Sequence, residues 1–120
     1  RCGQYIENGA DGIFLEAVTD INQYKEFKKN FSSPLLANIT EFGKTPLFTQ
    51  NELESAGVDM ILYPLTAFRA MSSSAEKVYD SLFKDGTQEN LLDIMQTREE
   101  LYEVLDYYNF EKKLDEKYSD

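Results

Sequence analysis

Asn8-Gly9-Ala10-Asp11-Gly12-Ile13-Phe14-Leu15 and Ala56-Gly57-Val58-Asp59-Met60-Ile61-Leu62-Tyr63 share one pattern, with Gly, Asp and Ile recurring at a spacing of 48 residues. In each copy Gly suits the residue just past a helix, where left-handed backbone is wanted. Asp marks the turn that follows. The apolar run after it is nearly continuous rather than alternating, as in parallel strands covered on both faces. Each copy therefore reads as a helix end, a turn and a buried strand.

Between the two copies lies a third run, Pro34-Leu35-Leu36-Ala37-Asn38-Ile39, introduced by the turn signal Ser32-Ser33-Pro34. Ile21, Tyr24, Phe27, Lys28 and Phe31 before it are spaced for a helix. Helices alternating with strands imply βαβ units and a parallel sheet. After the third strand the pattern turns helical. Leu65 to Lys84 reads as one long helix with Phe68, Met71, Ala75, Val78, Tyr79 and Leu82 on its inward face. Ser72-Ser73-Ser74 is a point where it could bend or restart, Ser73 and Glu76 having capping-box spacing. Asp85-Gly86-Thr87 stops it. Thr97-Arg98-Glu99-Glu100 is a capping box opening a helix with Leu101, Val104 and Leu105 inward, and a last helix is expected over Tyr108–Lys117.

The chain has 120 residues, fewer than the roughly 250 of a closed α/β barrel. Three parallel strands make a sheet with two unprotected edges. Tyr5 and Ile6 fit a helix already under way at Arg1. Both features lead to the expectation of a chain that begins inside a larger α/β protein.

The formal net charge is −10, from 12 Lys and Arg against 22 Asp and Glu. Nucleic acid, whose phosphates need a basic footprint, and anionic membrane surfaces are excluded as partners on that balance. The acid excess between Glu89 and Asp120 suits a solvated helical face. There is no His and a single cysteine, Cys2. Ser-His and Cys-His catalysis within the chain are therefore excluded, as are a disulfide framework and a zinc site. No apolar run is long enough for a membrane span and no signal peptide is visible, so a cytoplasmic location is expected.

In parallel α/β folds the site lies at the C-terminal ends of the strands. Those ends carry Glu16, then Asn38 and Thr40, then Arg69 one helical turn beyond Pro64, with Arg98 at the start of a later helix. Each has a structural alternative: Glu16 as a helix-entry carboxylate, Asn38 and Thr40 as loop-satisfying groups, Arg69 in a surface ion pair. A carboxylate buried at a strand end would need a partner. An acid, an amide, a hydroxyl and guanidiniums on one rim suit a small, anionic, oxygen-rich ligand.

Three segments are more specific: Asn38-Ile39-Thr40-Glu41-Phe42-Gly43-Lys44-Thr45-Pro46-Leu47-Phe48, Leu62-Tyr63-Pro64-Leu65-Thr66-Ala67-Phe68-Arg69-Ala70-Met71 and Met95-Gln96-Thr97-Arg98-Glu99-Glu100-Leu101-Tyr102. In this order they closely resemble the 2-methylisocitrate lyases of the isocitrate lyase and phosphoenolpyruvate mutase superfamily. The resemblance runs over essentially the whole chain and covers the C-terminal part of a family member. It implies the end of a (β/α)8 TIM-type barrel, with residues 1–84 as its last three βα units and 85–120 as a C-terminal helical extension. It also implies a helix swapped between subunits, commonly of a homotetramer. The implied reaction is a carbon–carbon lyase step on Mg²⁺-bound 2-methylisocitrate, giving pyruvate and succinate in propionate catabolism. Positions matching the family's substrate contacts are Glu16, Asn38, Ile39, Thr40, Arg69 and Arg98. Glu16 would act near the metal through water or substrate. Asn38 and Thr40 would hold carboxylate oxygens, Ile39 would contribute backbone, and the arginines would neutralise carboxylates.

The family's metal-binding aspartates and its catalytic Cys-Gly-His loop are absent. Arg1-Cys2-Gly3 is not that loop, since Gln4 stands where His belongs. No catalytic residue and no metal ligand is assigned in the chain, and alone it is expected to be inactive. Isocitrate lyases carry a Ser-Pro-Ser type segment after the corresponding Asn. Ile39-Thr40-Glu41 favours the methylisocitrate branch over isocitrate or another acid of the superfamily. The alternative of another class is a non-enzymatic interaction module built on Tyr102, Tyr107, Tyr108 and Phe110.

Overall fold

Gly9 and Gly57 both adopt left-handed backbone, φ +98° and +85°, each just beyond a short helix. The computed structural model, which describes residues 1–118, thus bears out the repeated helix end. The elements are α1 (Cys2–Glu7), β1 (Ile13–Phe14), α2 (Ile21–Asn30), β2 (Leu35–Asn38), α3 (Gln50–Ser55), β3 (Met60–Leu62) and α4 (Thr66–Asp85). A 3-10 helix (Glu89–Ile94), α5 (Arg98–Val104) and α6 (Tyr107–Tyr118) complete them. They form two compact units, Arg1–Ala70 and Met71–Asp120.

In the first unit the strands are parallel in the order β1-β2-β3, with Ile13 opposite Leu35 and Ala37 opposite Ile61. Helix α2 is started by a capping box: Asp20 Oδ1 accepts from the Asn22 amide and Gln23 Oε1 from the Asp20 amide. Its spacing then turns Tyr24 and Phe27 inward, and Thr49 with Glu52 caps α3 in the same way, placing Leu53 in the core. These helix residues bury Ile13, Leu35, Ala37 and Ile39. Asp59, the repeated turn acid, clips the sheet. Its Oδ2 accepts from the Leu35 amide at 2.8 Å and from Lys28 Nζ at 3.0 Å. Asp11, in the other copy, is an exposed turn residue.

The expectation of strands covered on both faces needs correction. Residues on one side of the sheet are buried, but Phe14, Met60 and Leu62 on the other are 49%, 46% and 47% exposed. The physical reason is that α2 and α3 supply their apolar residues to one side only.

In the second unit α4 continues without a break through Ser72-Ser73-Ser74, so the serines neither bend nor restart it. Gly86, φ +68°, ends it, and the Ser81 hydroxyl donates to the Thr87 carbonyl at 2.8 Å. The Thr97 capping box forms as expected, with reciprocal bonds between Thr97 and Glu100. Asp106 turns the chain in left-handed backbone, φ +53°, and the Tyr102 ring stacks on Tyr107 at 4.3 Å. The inward faces assigned to α4 and α5 are corrected: Met71, Tyr79, Leu82, Leu101, Val104 and Leu105 are all exposed. Helical spacing names the apolar side of a helix, but not whether anything covers it.

Candidate functional site

Period-two alternation at the end of β2 sorts the first three site residues. Asn38 and Thr40 fall on the open side of the sheet. Ile39, between them, is buried in the core, and its amide donates to the Leu62 carbonyl at 2.9 Å. The backbone that Ile39 can offer a ligand is therefore its carbonyl.

Asn38 and Thr40 line a cavity of about 410 Å³ at the ends of β1 and β2, together with Glu16, Ala17, Gly43, Lys44 and Thr45. Three of the six expected site residues thus meet in one place. Glu16 is exposed, which corrects the expectation of a buried carboxylate needing a partner. It reaches this cavity from the turn after β1. Asn38 Oδ1 is buried and lacks a hydrogen-bond partner. A buried acceptor left unpaired costs about 1–3 kcal/mol. A larger groove of about 590 Å³ along α1 and α2 is lined by apolar side chains such as Leu15, Phe27 and Phe31 together with carboxylates and amides, among them Glu26 and Asn22. The smaller cavity lies at the strand ends and adds a hydroxyl and an ammonium group to a carboxylate and an amide.

Two residues bordering this rim adopt left-handed backbone without being glycine: Ala17, φ +53°, and Phe42, φ +63°. Each follows a glutamate. Such a conformation costs about 1–2 kcal/mol per L-residue, and strain of this kind collects at functional sites.

Arg69, on the first turn of α4, is fixed by the loop after β2. Its Nη1 donates to Glu41 Oε2 at 2.8 Å and to the Glu41 carbonyl at 3.1 Å. The Thr66 hydroxyl donates to Glu41 Oε1. Thr66 first, then Glu41's own backbone and Arg69, hold the Glu41 carboxyl below the usual carboxylate range. The ion-pair alternative raised for Arg69 is therefore real, and its partner is Glu41. Arg98 is the first residue of α5 and exposed, in the second unit. It enters the site by resemblance alone.

Sequence reasoning left Glu41 and Lys44 out of the site. Both lay inside the quoted segment Asn38–Phe48. Thr66 and Arg69, three apart on a helix, share a face, but their partner is 25 or more residues upstream. Among the described residues no group of three or more His, Cys, Asp or Glu is placed to hold a metal ion. Glu16 and Glu41 alone do not make a magnesium site, so the side chains of this rim do not fit that ion by themselves. The rim offers a carboxylate, an amide, a hydroxyl and an ammonium group to a small oxygen-rich molecule.

No protein-family model matches the chain. It is 58% identical over 118 residues to the 2-methylisocitrate lyase of Salmonella typhimurium, covering 98% of this chain and 40% of that protein. The chain spans about two fifths of the length of the curated relatives it matches. Among solved structures, 2,3-dimethylmalate lyase, a phosphoenolpyruvate mutase/isocitrate lyase superfamily member, matches with a TM-score of 0.78 at 25% identity, covering 99% of this chain and 42% of that one. Phosphonopyruvate hydrolase in complex with oxalate and Mg²⁺ shares the fold, with a TM-score of 0.73 at 21% identity over 98% of this chain and 42% of that one.

Proposed function

We propose that this chain, a relative by sequence of part of the 2-methylisocitrate lyases, carries the substrate-holding rim of a lyase that splits 2-methylisocitrate into pyruvate and succinate. The observation that carries the reading is the cavity at the ends of β1 and β2 shared by Glu16, Asn38 and Thr40. In such a cleavage a hydroxyl loses its proton, the adjacent carbon–carbon bond breaks, and the succinate-like carbanion takes up a proton. The residues of this chain do not move those protons. They hold the substrate: the Asn38 amide nitrogen and the Thr40 hydroxyl donate to its carboxylate oxygens, the Ile39 carbonyl accepts from its hydroxyl, Arg69 and Arg98 pair with its carboxylates, and Glu16 stands near the metal-bound end.

Magnesium, its ligands and the acid for the carbanion are assigned to the remaining length of the relatives, so these 120 residues alone are inactive. The open apolar side of the sheet supports this division, because parallel sheets are stable when both faces are covered. Further strands of a (β/α)8 barrel would cover it, with residues 1–84 as three βα units and 85–120 as a helical extension. A homotetramer with a swapped C-terminal helix would cover the exposed faces of α4 to α6. A cytoplasmic place in propionate catabolism goes with this function. No helix among the described residues is long and apolar enough to cross a membrane.

The test replaces the matching stretch of the Salmonella typhimurium relative with this chain and measures pyruvate release with Mg²⁺. Turnover of 2-methylisocitrate by the chimera, and none by the chain alone, is expected. Turnover of isocitrate instead would overturn the substrate, and pyruvate from the chain alone would overturn the division of labour.

A further inference from the structure

We propose that Glu41 is a positioning residue that, held by Thr66, presets the Arg69 guanidinium for a carboxylate of the ligand. This rests on the reading of Arg69 as a carboxylate-binding group of the rim. An arginine side chain has many rotamers, which a ligand must otherwise restrict in order to use it. In this protein the contacts with Glu41 already restrict that freedom in part. Both bonds to Glu41 come from Nη1. The Phe42 ring centroid lies 5.4 Å from Arg69 Cζ, so the guanidinium is held at one nitrogen and faced by an aromatic ring. Its Nη2 and Nε groups form the other fork, the geometry that binds a carboxylate bidentately.

The plain alternative is an ion pair that serves stability. Its side chains are 37% and 26% exposed, and pairs of that kind contribute little. The loop is also built at a cost that burial does not offset. Phe42 takes left-handed backbone while the residue stays 96% exposed. Gly43 comes so close to Thr40 that an added Cβ would stand 3.1 Å from Thr40 Cγ2. The segment that carries Glu41 is thereby tied to Thr40 and Lys44, which line the cavity. One short loop thus sets both the cavity wall and the arginine.

A second alternative is that the Glu41 carboxylate competes with the ligand for Arg69. The two ideas predict opposite signs. Succinate is titrated into the ¹⁵N-labelled full chain, following Asn38, Thr40 and the Arg69 side-chain nitrogens by NMR. Glu41→Ala is expected to weaken succinate about tenfold, the equivalent of one charge-assisted hydrogen bond. Glu41→Gln keeps an acceptor and should stay within about threefold of the native chain, while Thr66→Val, which leaves Glu41 in place but unheld, should weaken binding by about threefold. Thr66→Val also carries the test if Glu41→Ala fails to fold. In the native chain and Glu41→Gln the Arg69 nitrogens should be held in slow exchange, and in Glu41→Ala they should be mobile. Native-like or tighter binding by Glu41→Ala and Thr66→Val overturns the positioning role alone. Absence of any succinate response in the native chain overturns the reading of the rim, and the positioning role with it.

Discussion

Replacing Gly57 by Ala separates backbone strain from packing at the repeated helix end. At φ +85° an L side chain costs about 1–2 kcal/mol. The stiffer unfolded chain returns about 0.4–1 kcal/mol, leaving a net cost of about 1 kcal/mol from the backbone. The new Cβ would also stand 2.9 Å from Lys28 Cγ and 3.2 Å from Lys28 Cβ. Those atoms are the stem of the side chain, so Lys28 must swing and loosen its Nζ from Asp59 and from the Ser33 carbonyl. The Lys28–Asp59 side chains are 23% and 46% exposed, and solvent screening limits the loss to about 0.5–1 kcal/mol. The total is about 2 kcal/mol. Gly9→Ala is the control: φ is +98° and nothing lies within 4 Å of the added Cβ, so only the backbone cost of about 1 kcal/mol applies. Urea unfolding followed by far-ultraviolet circular dichroism measures both. In a Lys28→Ala background, which removes Cγ and the ammonium but keeps the Cβ 3.2 Å away, most of the excess of Gly57→Ala over Gly9→Ala should be lost. Equal costs for the two glycines in the native background, or an excess undiminished in the Lys28→Ala background, would refute the reasoning.

Two further outcomes are expected of the same chain. The Lys28 ammonium first, then the Leu35 amide, lower the Asp59 carboxyl, so its stabilisation is present above the unfolded-state value and is lost as pH falls through the folded-state one. The urea midpoint of the native chain should therefore drop more steeply below pH 4 than that of Asp59→Asn, and parallel curves would sink this account. Asn38→Leu removes the buried unpaired acceptor and should stabilise the chain by about 1 kcal/mol while abolishing the succinate response. A destabilised variant that still responded would contradict the assigned role of Asn38.

Local rules of spacing and turn chemistry made much of the fold legible. Gly9 and Gly57 announced their helix ends because only glycine takes that backbone freely, and Thr97 with Glu100 announced α5 because a capping box is closed within four residues. The parallel order followed from helices alternating with short apolar runs. The cavity residues Glu16, Asn38 and Thr40 were likewise legible, being at the strand ends where such sites lie. Reading failed where the deciding partner was distant. The Ser72-Ser73-Ser74 run carried a restart signal that the continuing helix overrode. Leu101 and Val104 sit on an apolar helix side that spacing identifies, but their exposure depends on what else is near.

The sequence by itself therefore determined the element order and the positions of the turns. These depend on residues close together in the chain or on motifs read as strings. Only the tertiary structure decided that Glu41 holds Arg69, that Ile39 spends its amide on the sheet, and that Asn38 keeps a buried acceptor unpaired. It also decided that one side of the sheet is covered by α2 and α3 and the other open. Each of these is a contact between segments far apart in sequence, set by where packed helices and parallel strands bring side chains in space.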